Sequence, residues 1–506
     1  MFRTCFALVT FATLAQAQTN PAATAAKRWR TANEKAIIGE FVKLLAIPDI
    51  AADQANIARN VAEITRMMQQ RGLTPQLAEV PGVSPVIFGE LRTPGATRTI
   101  LLYAHYDGQP LDPKEWLTPP FAPVLRSREI EKDGQVIPFE SATYPLDPEA
   151  RLYARSASDD KAPIVAMMTA LDAIRAAGLK LHSNIKFAFE GEEEAGSTHL
   201  GQILAAHKEM FAADVWLICD GPVSQTRRQL VAFGARGVTT VDITVYGPRR
   251  ELHSGHYGNW APNPAMMLAR LLASMKDDAG RVLADRFYEG IAPLSDTERR
   301  AVAEAPAPDA ELMKELWLGA TEGTTGGSPK KLIELLQLPS LNIRGMASAR
   351  TGAQASNVIP ATATASLDIR LVKGMDHAQT VARLLEHIRK QGYFVVDTEP
   401  SAAVRMAHPK VAKVTNTDGY NAVRTSMDLA ISKEVIRVVE SARGPAVKVP
   451  TMGGSVPLEA IERAVGTHTI TIPIANHDNS QHSFNENIRI QNLWDGIELM
   501  AALITM

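Results

Sequence analysis

Three short apolar runs in this chain each stop at an acidic or imidazole side chain, and that feature constrains the fold most. Leu101-Leu102-Tyr103 leads to His105, Phe187-Ala188-Phe189 to Glu190, and Leu217-Ile218 to Cys219-Asp220. Runs this short and this apolar predict strands over 99–103, 185–189 and 215–218, buried on both faces. Between the first two, residues 161–178 carry Ile164, Met167, Met168, Leu171 and Ile174 at helical spacing, and 37–45 and 57–68 also read as helices. Strands alternating with helices predict an α/β domain with a mostly parallel sheet flanked by helices, and such sheets form their sites outside the carboxyl ends of the strands. The polar residues of interest stand at those ends.

From about Gly237 the pattern changes. Strands at 239–246, 340–343, 361–372 and 393–397, with helices at 262–275 and 377–389, predict the β-α-β-β-α-β order of a ferredoxin-like α+β unit, with an acidic, Pro-containing insertion over 277–338. The first pattern then resumes with a helix at 427–441, a strand at 469–474 and a helix at 490–504. The predicted organisation is an α/β domain in two parts, 28–235 and 401–506, interrupted by an inserted α+β domain over 236–400. A chain of 506 residues exceeds what one core sustains, which agrees with two domains.

The charge balance, Lys+Arg 53 against Asp+Glu 55, has no block of one sign and supplies no field for gathering nucleic acid or anionic membrane. Met1 and Arg3, an apolar run over 5–14 and then Ala15-Gln16-Ala17 predict a signal peptide, 1–17, cleaved after Ala17. The run is too short to span a bilayer, which takes about 20 apolar residues. Cleavage would leave Cys219 as the only thiol, so no internal disulfide forms, and the expected destination is secreted or periplasmic.

Five potential ligands for a hard or borderline cation lie past strand ends or in loops: His105, Asp159, Glu194, Asp220 and His482, with Asp107, Asp160 and Glu193 beside them. Two imidazoles and several carboxylates suit a pair of zinc-like ions bridged by one carboxylate, and a carboxylate that does not ligate can take a proton from the bridging water. Singly, each element has an ordinary reading. A His-x-Asp is a solvated loop pair, Asp159-Asp160 favours a helix N-terminus, Glu192-Glu193-Glu194 is a solvated face, and Asp220 is a turn residue. Their order and shared placement at strand ends favour a site. Ser158-Asp159-Asp160-Lys161 satisfies S-x-x-K, but the companion β-lactamase motifs are missing, as are H-E-x-x-H, G-x-S-x-G and a phosphate loop.

Leu102-Tyr103-Ala104-His105-Tyr106-Asp107, Ser158-Asp159-Asp160-Lys161, Glu190 to Ser197, Asp220, Gly453-Gly454-Ser455-Val456-Pro457 and His482-Ser483-x-Asn485-Glu486 together resemble the M20 metallopeptidases, and among them the carnosinase-like dipeptidase branch. The resemblance implies a zinc-exopeptidase-like catalytic domain with the inserted domain as a lid, two Zn2+ per chain with Mn2+ or Co2+ as substitutes, and a homodimer formed through the lid. It implies that Asp159 bridges the ions, that His105 and Asp220 complete one site, and that Glu194 and His482 complete the other. It further implies that Glu193 is the general base and that Asp107 orients His105. His253, Asn357, Arg370, Gly454 and Ser455 match substrate-binding positions, with Arg370 suited to a C-terminal carboxylate. His253 and His256 also form an H-x-x-H, but no carboxylates accompany them.

This chain departs from the family at Ala162, where glycine is usual, and at Ala154-Arg155-Ser156, where Gly-Arg-Gly is usual. It also carries a longer stretch over 121–149, expected at the rim of the site. The activity implied is hydrolysis of the amide bond of dipeptides or short peptides with a free C-terminus. Removal of an acyl group from an N-acyl amino acid is the nearest competitor, and a non-catalytic periplasmic binding protein the competitor from another class.

Overall fold

Alternation within one strand sets the layering of the first domain. In Thr99–His105, Ile100, Leu102 and Ala104 belong to one buried cluster and Leu101 and Tyr103 to another, because successive side chains leave opposite faces of a strand. The computed structural model describes residues 20–322, 330–454 and 456–506, and the two clusters are the two sides of one eight-stranded sheet. The expected signal peptide lies outside the described residues.

The strands run in the order Gln76–Ala78, Val86–Leu91, Asn184–Glu190, Thr99–His105, Val215–Ile218, His468–Thr471, Leu230–Ala232 and Val447–Val449. The four from Asn184–Glu190 to His468–Thr471 are parallel, and the carboxyl ends of the first three lead into Glu193-Glu194, His105 and Asp220. Antiparallel pairs occur at the Gln76–Ala78 edge and where Leu230–Ala232 meets His468–Thr471, so the sheet is mixed. Helices Pro21–Leu45, Lys161–Ala176 and Ile490–Ile504 pack together on one face, and Leu200–Ala206, Lys208–Phe211 and Leu458–Val465 lie over the other.

Lys161–Ala176 is buried on every side through its first ten residues, and no residue from Ala162 to Leu171 is charged. Each Ile, Leu or Met it buries contributes about 2 kcal/mol. The N-terminal helix begins at Pro21, well before the expected start at Ile37, because the Asn20 side chain accepts from the N–H groups of Ala22 and Ala23 and Pro21 suits the first turn. Its early buried face includes Arg30 and Glu34, and Arg30 is 3.2 Å from Glu34 and 3.1 Å from Glu498. A buried charged stripe has no apolar period to betray it.

The second unit is a five-stranded sheet in the order Ser340–Ala347, Thr362–Leu371, Gly237–Tyr246, Val411–Tyr420 and Phe394–Val396, antiparallel except for the last pair. Helices Pro264–Ala273 and His377–Lys390 cover one face, over Val241, Ile243, Val245, Leu367 and Ile369. This corrects the boundary drawn at residue 400. Val411–Tyr420, expected in the first domain, pairs along Gly237–Tyr246 and takes the inner position, and Phe394–Val396 is an edge strand. The chain returns to the first domain only near Val423–Arg424, which pairs with Gly234–Ala235.

The insertion holds helices Asp296–Glu304, Asp309–Glu315 and Leu332–Leu335, the first opened by a Ser295–Glu298 capping box. Asp296–Glu304 packs against the strand Val447–Val449, so the insertion reaches across the edge of the first sheet. Among the described residues, no helix is long and apolar enough to cross a membrane.

Candidate metal centre

His105 ends its strand with its ring fully buried, and its own N–H faces Asp160 Oδ2 at 3.3 Å. Ring atom Nδ1 lies 3.0 Å from the carbonyl oxygen of Asp107 and 3.5 Å from Asp107 Oδ1. The carbonyl can only accept, so the Nδ1–H donates to it, and Nε2 is the ring atom turned toward Asp159 and available to a cation. The Asp107 carboxylate does a different task. Its two oxygens accept the backbone N–H groups of Glu193 and Glu194, each at 3.0 Å, and so fix the turn that carries both side chains. Gly191 opens that turn because a Cβ there would stand 2.3 Å from the Tyr106 ring.

Asp159 lies just before the helix Lys161–Ala176, and the peptide joining it to Asp160 is cis. Its Oδ1 is 3.1 Å from His105 Nε2 and its Oδ2 is 3.2 Å from His482 Nε2. His482 Nε2 is also 3.3 Å from Glu194 Oε2, which accepts from Gln109 Nε2 at 2.6 Å. Glu193 Oε2 stands 4.0 Å from His105 Nε2. Atoms of His105, Asp159 and Glu194 all lie within 4.8 Å of one another, and so do atoms of His105, Glu193 and Asp220.

Two buried groups hold this arrangement from behind. The Glu486 carboxylate accepts from the N–H groups of Ser156, Ser158 and Asp159, each at 3.0 Å, from Ser158 Oγ at 2.9 Å and from Arg155 at 2.8 Å. It follows His482 by four residues, so one side chain ties the Asp159 loop to the His482 loop. Lys161 Nζ is 2.7 Å from Asp49 Oδ2 and donates to the carbonyls of Leu44 and Ile47, so it is a buried anchor for the helix start rather than a base. Ser156, where the resemblance implies glycine, takes a left-handed φ of 61°, a conformation that costs a side-chain-bearing residue about 1 kcal/mol. The Glu486 bond to its N–H helps hold it there.

The charges explain what the cluster fits. Burial and repulsion by Asp159 push Asp220 up to about 6 and Glu194 up to about 8, and burial with the same crowding pushes Glu193 well above its ordinary value. Burial also acts to raise Asp159, but its bonds to His105 and His482 win and hold it below the usual carboxylate range. Its bond to Asp159 in turn raises His482 to about 8. Buried carboxylates that resist ionisation beside two imidazoles match the donor set of a borderline divalent cation, whose charge relieves both burial and repulsion.

A pH dependence follows. A carboxyl whose pKa is higher folded than unfolded keeps a proton that the unfolded chain has lost, so its stabilisation is full at low pH and falls as pH rises through the folded value. Protein stripped of metal with a chelator is expected to lose stability from about pH 5 to about pH 8, through the values of Asp220 and Glu194. Protein supplied with zinc is expected to keep it, because cations favour the ionised ligands. Thermal melts at both pH values, with chelator and with zinc, check this. Equal melting temperatures for the chelated protein would contradict it.

The cluster opens into a cavity of about 790 Å³ whose wall includes Asp159, Glu193, Asp220, His482, Arg370 and Gly454. Of the remaining expected substrate residues, His253 and Asn357 are exposed around the ribbon Leu252–His253 and Val358–Ile359 and do not line this cavity in a single chain. Ser455 lies outside the described residues. No residue of 121–149 lines the cavity, contrary to the rim expected there. Val124–Arg126 instead pairs with Arg151–Tyr153, and Leu125 and Leu146 join the main core. Sequence reasoning missed Gln109, which carries no motif, and gave Glu486 no role although the residue stood inside a quoted motif.

The family model described as Peptidase family M20/M25/M40 matches residues 101–506. The Cys-Gly metallodipeptidase DUG1 of Saccharomyces cerevisiae is 27% identical over 446 residues, covering 86% of this chain and 85% of that protein. The Beta-Ala-His dipeptidase of Homo sapiens is 27% identical over 479 residues, covering 92% and 84%. Among solved structures, the M20 family metallo-carboxypeptidase Sso-CP2 from Sulfolobus solfataricus matches with a TM-score of 0.75 at 24% identity, covering 93% of this chain and 98% of that one, a likeness of fold.

Proposed function

Since the chain belongs to peptidase family M20/M25/M40, we propose that it is an exported dinuclear-metal dipeptidase, hydrolysing the amide bond of dipeptides or short peptides that end in a free carboxylate. The observation that carries this reading is the pose of Asp159, whose two oxygens face two different imidazoles at 3.1 Å and 3.2 Å. A carboxylate so placed would have one oxygen to offer each of two cations. On this reading His105 and Asp220 complete one position, Glu194 and His482 the other, and zinc, manganese or cobalt fills them. Bound there, the ions would polarise the scissile carbonyl and acidify the attacking water.

The chain's own groups do the rest. Glu193, on the cavity wall, takes the water's proton and returns it to the leaving amine nitrogen. Asp107 aims it through the N–H of Glu193, and holds Glu194 the same way. Arg370 binds the C-terminal carboxylate, with donors from Gly454 and Ser455. His253 and Asn357 reach the cavity from a second copy in a homodimer, which accounts for their exposure in one chain. The leader over 1–17 sends the protein out of the cytoplasm.

The test is amine release from dipeptides, tripeptides and N-acyl amino acids, with zinc and again after chelation. Chelator-sensitive cleavage of unblocked dipeptides supports the proposal. Cleavage of N-acyl amino acids alone would replace it with deacylation at the same site. Arg370→Ala is expected to raise KM about thirty-fold for substrates with a free C-terminus, equivalent to about 2 kcal/mol for a charged hydrogen bond. C-terminally amidated peptides should be spared, and steady-state kinetics on both sets decide it.

A further inference from the structure

Besides the metal-facing residues and Arg370, the cavity has one stretch of wall that the chemistry above leaves unexplained. That wall is apolar, made by Leu230, Ile333, Leu336, Val447, Val449 and Met452. Leu230, Val447 and Val449 come from the last two strands of the large sheet, whereas Ile333 and Leu336 come from the insertion. Val447 and Val449 form a small core of their own with Ala232 and Ala305, against which Leu230, Ile333 and Met452 pack.

The wall stands at the Arg370 end of the cavity. Leu336 lies against Gly453, where an added Cβ would meet its Cδ2 at 3.0 Å, and Gln337 Nε2 donates to the Thr451 carbonyl at 3.1 Å. These contacts press the segment onto the Gly453-Gly454 loop. Arg236 donates to the Leu338 carbonyl at 2.7 Å and to Ser340 Oγ at 2.9 Å, and Ser340 sits opposite Arg370 in the sheet register. Apolar wall, glycine loop and guanidinium therefore share one end.

From this juxtaposition we infer that the cavity selects substrates whose carboxylate-bearing residue has a bulky apolar side chain, of leucine, methionine or phenylalanine size. The inference rests on the peptidase reading above. A carboxylate held at Arg370 places its own side chain on the nearest wall, and that wall offers no charge or hydrogen-bonding side chain to a polar one. Burying a leucine side chain there favours it over glycine by roughly thirty-fold, or about 2 kcal/mol at 1.4 kcal/mol per tenfold.

The experiment compares kcat/KM of the zinc-loaded protein for Ala-Leu, Ala-Phe, Ala-Gly and Ala-Asp. Beside it, calorimetry measures binding of free leucine, glycine and aspartate to the same protein. Expected are about thirty-fold higher kcat/KM for Ala-Leu than for Ala-Gly, and tighter binding of leucine than of the other two amino acids. Leu336→Asp and Ile333→Asn, made separately so that one misfolded variant does not end the test, should each shrink the Leu-to-Gly ratio several-fold. Hydrolysis with equal rates, or with Ala-Gly or Ala-Asp preferred, overturns the apolar selection and leaves the peptidase standing. Absence of hydrolysis on every peptide overturns the peptidase reading. In that case tighter binding of leucine still supports the wall, and equal binding of the three amino acids overturns it too.

Discussion

Glu193→Gln is expected to cut turnover by about a thousand-fold while the metal content stays that of the wild type. General acid–base groups contribute roughly 10²- to 10⁴-fold, and glutamine keeps the shape of the side chain while losing its capacity to carry a proton. The backbone bonds that place residue 193, from its N–H to Asp107, do not involve the substituted group. The closest approach of Glu193 to the imidazole ligands is 4.0 Å, whereas Asp159 makes the short contacts to both His105 and His482. Turnover on a good dipeptide, with metal measured by mass spectrometry on the same sample, checks both halves. Activity within a few-fold of wild type would remove Glu193 from the role of base, and loss of metal would make it a ligand.

Asp159→Asn should have the opposite signature, with metal and turnover lost together. An amide keeps one acceptor oxygen but presents an N–H₂ to one of the two imidazoles, and it lacks the negative charge that two cations would share. Metal affinity is expected to fall at least a hundred-fold and turnover at least a thousand-fold, since both imidazoles of the set meet on this residue. The fold should survive, because the loop hangs from Glu486 through backbone N–H groups that the substitution leaves in place. Circular dichroism and metal titration on the purified variant separate the two effects. Full metal loading in the asparagine variant would refute the bridging role. Taken with Glu193→Gln, the pair distinguishes a residue that moves protons from one that holds charge.

How much of this could be read before the structure depended on whether the signal was local. The strands ending at His105, Glu190 and Ile218, and the helix Lys161–Ala176, were legible because a short apolar run or a regular stripe records burial in the residues themselves. The start of the first helix at Pro21 was not, since Arg30 and Glu34 are buried by pairing with charges, one of them Glu498 at the far end of the chain. Val411–Tyr420 was misplaced because nothing in its own residues says which of two sheets it joins. Asp107 was marked as a partner of His105, but the work of its carboxylate, gripping two N–H groups of residues 193 and 194, belongs to a contact across the sheet.

The sequence by itself determined the chemical inventory and the strand-end positions of His105 and Asp220, because residue type and short-range spacing survive without knowledge of the fold. Only the tertiary structure decided that Asp159 turns one oxygen to each imidazole, that Glu486 ties the Asp159 loop to the His482 loop, and that Ile333 and Leu336 line the same cavity as the metal-facing side chains. Those facts rest on contacts between residues far apart in the chain. Their free energy comes from burial and pairing that exist only once the two sheets have formed, so no local pattern records them.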